Sequence, residues 1–194
     1  MTHDPPPPGR ALIPTRMYLT TGVGRHRHEP QAHDLMYLNA GLGRVSRVRV
    51  AGRVPPDCAL LTREEGTRLL QDGQILFTVQ ALAETSTPGR RIGASVAVAL
   101  PDGRAPGRVA EVHEADAVGK DAAQAAAEAA RTALTAVALE LGDLGFHADR
   151  QYRPERERYV ISGKTVTVHA AAVDAVGPEN GDHIKIVASL VFLF

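Results

Sequence analysis

The chain has 194 residues, enough to bury one hydrophobic core, and a single domain is predicted over residues 13–194. Its 22 basic and 22 acidic residues cancel, so the charge balance argues against a nucleic-acid partner. One cysteine, Cys58, excludes an intramolecular disulfide and favours a cytoplasmic location. No apolar run reaches the roughly 18 residues typical of a membrane-spanning helix, so no membrane partner is predicted.

The first segment, MTHDPPPPGR, contains four consecutive prolines, which predict a stiff, disordered tail over residues 1–12. The next segment, MYLTTGV, predicts a strand. GVGRHRHEP then predicts a polar loop in which Gly22 and Gly24 are turn residues. Residues 31–40 predict a short helix that ends at Gly41.

The strand after this helix carries the most information. In RVSRVRVAG, residues 44–52, valines alternate with arginines, which predicts one buried and one solvated face. The same parity places Ser46 and Gly52 on the valine side, so both are predicted to face an interior or a pocket.

The remaining segments predict mixed helix and strand layers. TREEGTRLL favours a short helix, and two strands follow, joined by a turn at Pro88-Gly89. GRVAEVHEAD alternates so that Val109, Glu111 and His113 share a face. A long alanine-rich helix comes next, with a predicted apolar stripe of Ala122, Ala126, Ala130, Ala133, Val137 and Leu141. Three strands complete the chain, and the apolar HIKIVASLVFLF is typical of a strand buried on both faces.

The block DLMYLNAGLGRVSRVRVAGRVPP, residues 34–56, resembles the pyruvoyl-dependent arginine decarboxylases, a lyase family. YLTTGVGRH, REEG, GASVAVALP and GRVAEVH agree with that family in the same order. The resemblance implies an α/β (α+β) fold, a layered αββα sandwich. It also implies a homotrimer with pockets between subunits.

In the family, the chain cuts itself before a serine, and that serine becomes a pyruvoyl group whose carbonyl forms a Schiff base with the substrate. Here Ala51-Gly52 stands in place of the family's Ser-Ser. Glycine has no β-carbon, so it can neither form the ester nor become a dehydroalanine. We therefore predict an uncleaved chain without a pyruvoyl cofactor, which is not expected to be an active pyruvoyl-dependent decarboxylase.

The resemblance also assigns pocket residues. Glu111 matches the family's proton donor and is the predicted catalytic residue, because a half-buried carboxylic acid suits acid/base chemistry. Asp34 matches the acid that holds the substrate guanidinium. Ser46 replaces the family's asparagine. Gly52, at the cofactor-forming position, and His113, which strand alternation places on the face of Glu111, complete the predicted substrate-binding set.

Each assignment has a structural alternative. Asp34 could be a helix-start residue, Glu111 part of a structural salt bridge, and Ser46 a small inward-facing side chain. Cys58 is interpreted as a buried apolar residue and Lys164 as an exposed edge lysine, although a buried lysine could support imine chemistry. His26, His28 and His33 have spacings that a metal site could use, but a solvated loop is preferred and no metal is predicted.

Three functions follow from this sequence. The preferred hypothesis is a repurposed, cofactor-free enzyme of specialised metabolism that performs a cyclisation, isomerisation or other acid/base step on a small molecule. The alternative is a non-catalytic relative that binds a ligand or a true decarboxylase subunit. An active amino-acid decarboxylase with another route to its cofactor is the third.

Overall fold

The computed structural model describes residues 12–112 and 117–194. Within these residues the chain forms ten strands and four helices. The strands are β1 (Arg16–His26), β2 (Ser46–Arg49), β3 (Arg53–Val54), β4 (Ala59–Leu61), β5 (Ile75–Thr85), β6 (Arg91–Pro101), β7 (Gly107–Glu111), β8 (Arg158–Ile161), β9 (Lys164–Val176) and β10 (His183–Leu193). The helices are α1 (Glu29–Asn39), α2 (Arg63–Arg68), α3 (Ala122–Glu140) and α4 (Ala148–Gln151).

The strands form two five-stranded sheets. The first has the order β2-β5-β10-β1-β4, with long antiparallel strands in the middle and short parallel ones at both edges. The second has the order β3-β7-β6-β9-β8 and is antiparallel throughout. The strands on either side of Pro88-Gly89 belong to opposite sheets, so this turn carries the chain across the sandwich and does not close a hairpin.

The two sheets pack face to face, and helices cover both outer faces. α1 lies on β1 and β10 of the first sheet, while α3 lies on β6, β7 and β9 of the second. Strand β10, in the centre of the first sheet, is buried from Ile184 to Leu193, as its apolar sequence predicted. The observed layers confirm the predicted αββα sandwich.

The prediction that Gly22 and Gly24 are turn residues is wrong, because β1 runs straight through them to His26. A Cβ built at either glycine would overlap a backbone carbonyl oxygen of α1, from Met36 at Gly22 and from Ala32 at Gly24. The glycines therefore let the helix approach the strand closely.

The long helix is where it was predicted, but its stripe is rotated. Ala130, Ala133 and Val137 are buried as expected, whereas Ala125 and Ala129 are buried in place of Ala122 and Ala126. The reason is that most of its residues are alanine, so the sequence gives little contrast from which to choose a face. An Asp121–Gln124 capping box begins the helix.

The prediction of a buried valine face on β2 is also wrong for the single chain. Val48 is 42% exposed, and Ser46 is exposed too. β2 is an edge strand that, among the described strands, pairs with β5 alone, so this face is only partly covered there, and Val50 is half-buried against the core between the sheets. Arg47, on the opposite face, packs against α1, with its guanidinium 3.6 Å from the centre of the Tyr37 ring.

Two predictions concern residues that lie wholly or largely outside the described part of the chain. Of the tail predicted over residues 1–12, residues 1–11 lie outside the described residues, as does His113. Leu12 is exposed. None of the described helices has the length and apolar character needed to span a membrane.

Candidate active site

Glu111 lies at the end of β7 and faces the space between the two sheets. The pairing of β6 with β7 sets Val98 opposite Val109 and Val96 opposite Glu111, and both β6 valines belong to the core between the sheets. The Glu111 side chain is 23% exposed. Val109 and Glu111 therefore share a face, as predicted, and the carboxylate occupies the rim of the interior.

A cleft of about 840 Å³ opens at this rim because the strands at the sheet edges are short. β2 covers β5 only as far as Thr78, and no other described strand pairs with this edge of β5 beyond it. In the second sheet, β7 covers β6 only from Val96 onward. Before Val96, Val112 and residues 117–119 hydrogen-bond to this edge of β6 instead, so the Glu111 cleft lies between the open part of β5 and the segment that follows β7.

Among the described residues, the charged side chains that line the Glu111 cleft are two arginines and two glutamates: Arg49, Arg90, Glu84 and Glu111. Arg49 Nη2 lies 3.6 Å from Glu111 Oε1 and donates a hydrogen bond of 2.9 Å to the Gln80 carbonyl oxygen. On the far side, Glu84 is paired with Lys185, which also contacts Glu29 at 2.9 Å. The cleft can therefore accommodate a small polar ligand that carries both charge signs.

The sequence did not identify Arg49 and Arg90. The alternation of residues places Arg49 on the solvated face of its strand. Only the packing of the two sheets brings its guanidinium close to Glu111. Arg90 follows the turn between the sheets, outside every segment with an informative pattern. No sequence motif marks either residue.

Gln80 contributes a buried amide beside the cleft. Its Oε1 accepts a 3.0 Å hydrogen bond from the Tyr37 hydroxyl, while its Nε2 has no partner among the described residues. The Ser189 hydroxyl, next to Gln80 across the β5–β10 pairing, also has none there. Buried polar groups usually bond to water or to ligand when protein partners are missing.

The Ala51-Gly52 junction forms a tight turn before β3. Arg53 N–H donates to the Ala51 carbonyl at 3.1 Å, and Val109 N–H donates to the Gly52 carbonyl at 3.0 Å. A Cβ built on Gly52 would lie 2.8 Å from the Val109 carbonyl oxygen, closer than real Cβ atoms approach. Glu140 of α3 holds the Arg53 guanidinium at 2.7 Å, so the segment after the turn is anchored.

Beside this turn lies a separate apolar crevice of about 270 Å³. Ala51 lines it together with the aromatic side chains Phe77, Phe192 and Phe194. It is distinct from the Glu111 cleft, whose lining includes neither Ala51 nor Gly52.

Asp34, Ser46 and Gly52, the other predicted pocket residues that the structure describes, do not line the Glu111 cleft of their own chain. Asp34 lies in the middle of α1, which begins at Glu29, so the helix-start alternative is wrong. Asp34 is exposed and does not line the Glu111 cleft, and Ser46 does not line it either. Of the predicted polar residues that the structure describes, Glu111 lines the cleft, whereas Asp34 and Ser46 of the same chain do not.

The remaining candidates lie elsewhere. Cys58 is 8% exposed in the core between the sheets, as predicted, and burial raises the pKa of its thiol to about 11. Lys164 begins β9, far along the chain from the cleft residues, and is half-buried. The rings of His26 and His28 are in tilted contact, with centroids 5.5 Å apart and an interplanar angle of 44°. Across residues 12–112 and 117–194, no group of three or more His, Cys, Asp and Glu is arranged to hold a metal ion.

Comparison with known proteins agrees with the fold and with the motifs. The family model described as pyruvoyl-dependent arginine decarboxylase matches residues 16–194. A pyruvoyl-dependent arginine decarboxylase of Methanococcoides burtonii is 34% identical over 185 residues, covering 94% of this chain and 99% of that protein. A probable pyruvoyl-dependent arginine decarboxylase of Chlorobium luteolum is 32% identical over 184 residues, with 94% and 99% coverage.

A shorter stretch is more similar still to a relative from Archaeoglobus fulgidus, named pyruvoyl-dependent arginine decarboxylase 2. That match is 42% identical over 92 residues, covering 47% of this chain and 59% of the relative. The chain belongs to the pyruvoyl-dependent arginine decarboxylase family.

Proposed function

We propose that this chain remains in one piece, carries no pyruvoyl group, and acts as a cofactor-free enzyme on a small molecule in the Glu111 cleft. The observation that carries the proposal is the environment of Gly52. Glycine supplies no β-carbon for a pyruvoyl group, and the place where that carbon would lie is 2.8 Å from the Val109 carbonyl oxygen. The residues present do not fit the group that the family builds at this position.

Glu111 is the residue assigned to the chemistry. Its carboxylate is at the rim of the core, open to a cleft of about 840 Å³, and can take a proton from a bound substrate and return it at another atom. Such a proton transfer is the essential step of an isomerisation or a cyclisation. Arg49 and Arg90 would hold a substrate oxyanion or carboxylate, since guanidinium groups pair well with both.

A homotrimer remains part of the proposal. Asp34 is exposed on α1 and does not reach the cleft of its own chain, so a neighbouring subunit would have to deliver it. The location is proposed to be cytoplasmic, in line with the single cysteine. The role in specialised metabolism rests on the loss of the cofactor-forming serine.

One observation favours the alternative of a non-catalytic, ligand-binding relative. Arg49 Nη2 lies 3.6 Å from Glu111 Oε1 and partly neutralises the carboxylate that would act as the base. Under this alternative, Glu111 positions Arg49 for ligand binding and performs no chemistry.

The first test is the mass of the purified chain under denaturing conditions. A single species near 20.7 kDa, unreactive towards a carbonyl-directed hydrazine, is expected. Two fragments divided near residue 51, one of them hydrazine-reactive, would overturn the proposal and make arginine decarboxylation the leading assay.

The second test separates catalysis from binding. Candidate substrates drawn from genes adjacent to this one would be incubated with the wild-type protein and with Glu111→Gln and Arg49→Gln. Loss of at least about a hundredfold in turnover for Glu111→Gln, with ligand affinity retained, supports the enzyme. Unchanged turnover in Glu111→Gln would overturn its catalytic role, and weaker binding without any turnover would favour the alternative.

A further inference from the structure

A second cavity, of about 500 Å³, opens at the edge of the sandwich opposite the Glu111 cleft. It forms just beyond two short edge strands, since β4 covers β1 only as far as Tyr18 and β8 covers β9 only as far as Thr167. The volume lies within the range of small-molecule sites. It lies on the side of β1 and β9, whereas the Glu111 cleft lies on the side of β5 and β7.

The floor of this second cavity is apolar and made of small side chains. Leu19 of β1 and Val168 of β9 contribute from the two sheets, while Ala126 and Ala130 contribute from α3. The alanines leave room above the helix for a flat or branched apolar group. Burial of such a group would supply most of the binding free energy.

Two polar side chains line the cavity without hydrogen-bond partners in the described part of the chain: the imidazole of His169 and the hydroxyl of Tyr152. Both are half-buried. Desolvation lowers the pKa of His169 and raises that of Tyr152, so near neutral pH the first is uncharged and the second keeps its proton. Each can therefore donate one hydrogen bond to an acceptor in the cavity.

The rim carries an excess of positive charge. Arg63 and Arg156 line the cavity, and each donates to a backbone carbonyl, that of Asn39 at 2.5 Å and that of Arg158 at 2.6 Å. Among the described residues, neither forms an ion pair with a carboxylate, unlike Arg49 in the other cleft. Glu157 is the acidic residue of the lining, so the net charge of these three side chains matches a monoanion.

We propose that this second cavity binds a small organic monocarboxylate with an apolar body. The apolar part lies on the floor formed by Leu19, Ala126 and Ala130. The carboxylate accepts hydrogen bonds from Arg63 and Arg156 and from the side chains of His169 and Tyr152. Guanidinium groups recognise carboxylates through paired N–H donors, which a neutral amide of the same shape cannot match. The site is independent of the chemistry at Glu111.

An NMR titration of the full-length, isotope-labelled protein tests the proposal, with sodium 3-phenylpropanoate as the probe and neutral 3-phenylpropanamide as its charge control. Saturable shifts at His169 and Ala126 are expected with a Kd of about 1 mM or tighter for the carboxylate, and at least about tenfold weaker binding of the amide. Equal binding of both probes, or no saturable shift at these residues, would overturn the proposal.

Variants supply the matched controls. Arg156→Gln and Arg63→Gln are each expected to weaken carboxylate binding by about tenfold, and Ala126→Leu is expected to block it by filling the floor without altering charge. Arg90→Gln, in the Glu111 cleft, is expected to leave the affinity unchanged. Retained affinity in Ala126→Leu, or a loss in Arg90→Gln equal to that in Arg156→Gln, would place the binding elsewhere and overturn the assignment.

Discussion

A single missing side chain affects both the chemistry and the geometry of the Ala51-Gly52 turn. The Val109 carbonyl oxygen approaches the Gly52 backbone so closely that a β-carbon cannot enter without a shift of one strand. Because Val109 N–H also donates to the Gly52 carbonyl, the turn and β7 are held together on that side. Restoring a serine therefore changes the local packing before it can restore any reactivity.

Gly52→Ser is accordingly expected to remain uncleaved and to lower the free energy of unfolding by about 1–3 kcal/mol, the usual cost of overpacking. Gly52→Ala should lose a similar amount, since the added Cβ is the common cause, whereas Ala51→Ser at the exposed neighbouring position should lose little. Urea denaturation and intact-mass measurements would check this. Self-cleavage of Gly52→Ser would show that the turn adapts to a side chain.

Burial of Cys58 makes the free energy of unfolding depend on pH in the alkaline range. Burial raises the pKa of its thiol to about 11, so the folded state keeps the proton at pH values where the unfolded chain loses it. This stabilisation is complete below the unfolded pKa of about 8.5 and is lost as the pH rises towards 11. Between pH 8 and pH 10, the free energy of unfolding should therefore fall less in Cys58→Ala than in the wild type. An equal fall in both proteins would contradict the assignment.

At the scale of elements, the contact between α1 and β1 depends on two glycines in the strand. Met36 and Ala32 place their carbonyl oxygens where the Cβ atoms of Gly22 and Gly24 would otherwise lie. Backbone atoms cannot move aside as a flexible side chain can, so this close contact tolerates no larger residue in the strand.

Gly24→Ala is expected to destabilise the protein by about 3 kcal/mol or more, because the helix must lift off the sheet. Gly145→Ala provides a matched control, since a Cβ there makes only an ordinary contact of 3.6 Å with Asp143 Oδ1. Thermal unfolding of the two variants would distinguish them. Equal stability would mean that α1 moves without cost.

Local sequence patterns predicted the helices and strands far better than they predicted which of these elements pack against each other. The capped helix before Gly41, the long helix and the apolar C-terminal strand follow from local patterns, and the resemblance supplied the sandwich. The positions of Arg49 and Arg90 at the cleft depend instead on pairing between distant strands, which local patterns do not encode. Gly22 and Gly24 were misassigned for the same reason. The local sequence does not distinguish a glycine that allows a helix to pack closely from a glycine that forms a turn.

At the scale of the whole molecule, exposed apolar side chains extend from the Ala51 crevice, which Phe194 lines, along β2 and β5, where Val48 is paired with the crevice residue Phe77. Val48 is 42%, Ile75 63% and Phe194 47% exposed. Grouped apolar residues of this kind are typical of surfaces that another protein covers. The valine face of β2, predicted to be buried, would be covered by a second copy of the chain in the proposed trimer.

Val48→Asp is therefore expected to convert a trimer into monomers, as measured by light scattering during gel filtration, because a buried carboxylate has no partner in that surface. Val160→Asp, at an exposed position on β8, introduces the same charge away from the surface and should leave the assembly intact. A wild-type monomer, or a Val48→Asp trimer, would contradict this model of assembly.

Strand β10 joins the two halves of the first sheet, with β1 on one side and β5 on the other, and it follows every other described strand in the chain. During synthesis, β1 and β5 therefore cannot pair with β10 until it has been made. Until then, the strand edges that β10 later covers stay exposed. Contacts so distant in sequence form slowly, and open strand edges promote aggregation. Chaperone dependence during translation should accordingly end only when residues 183–193 have left the ribosome.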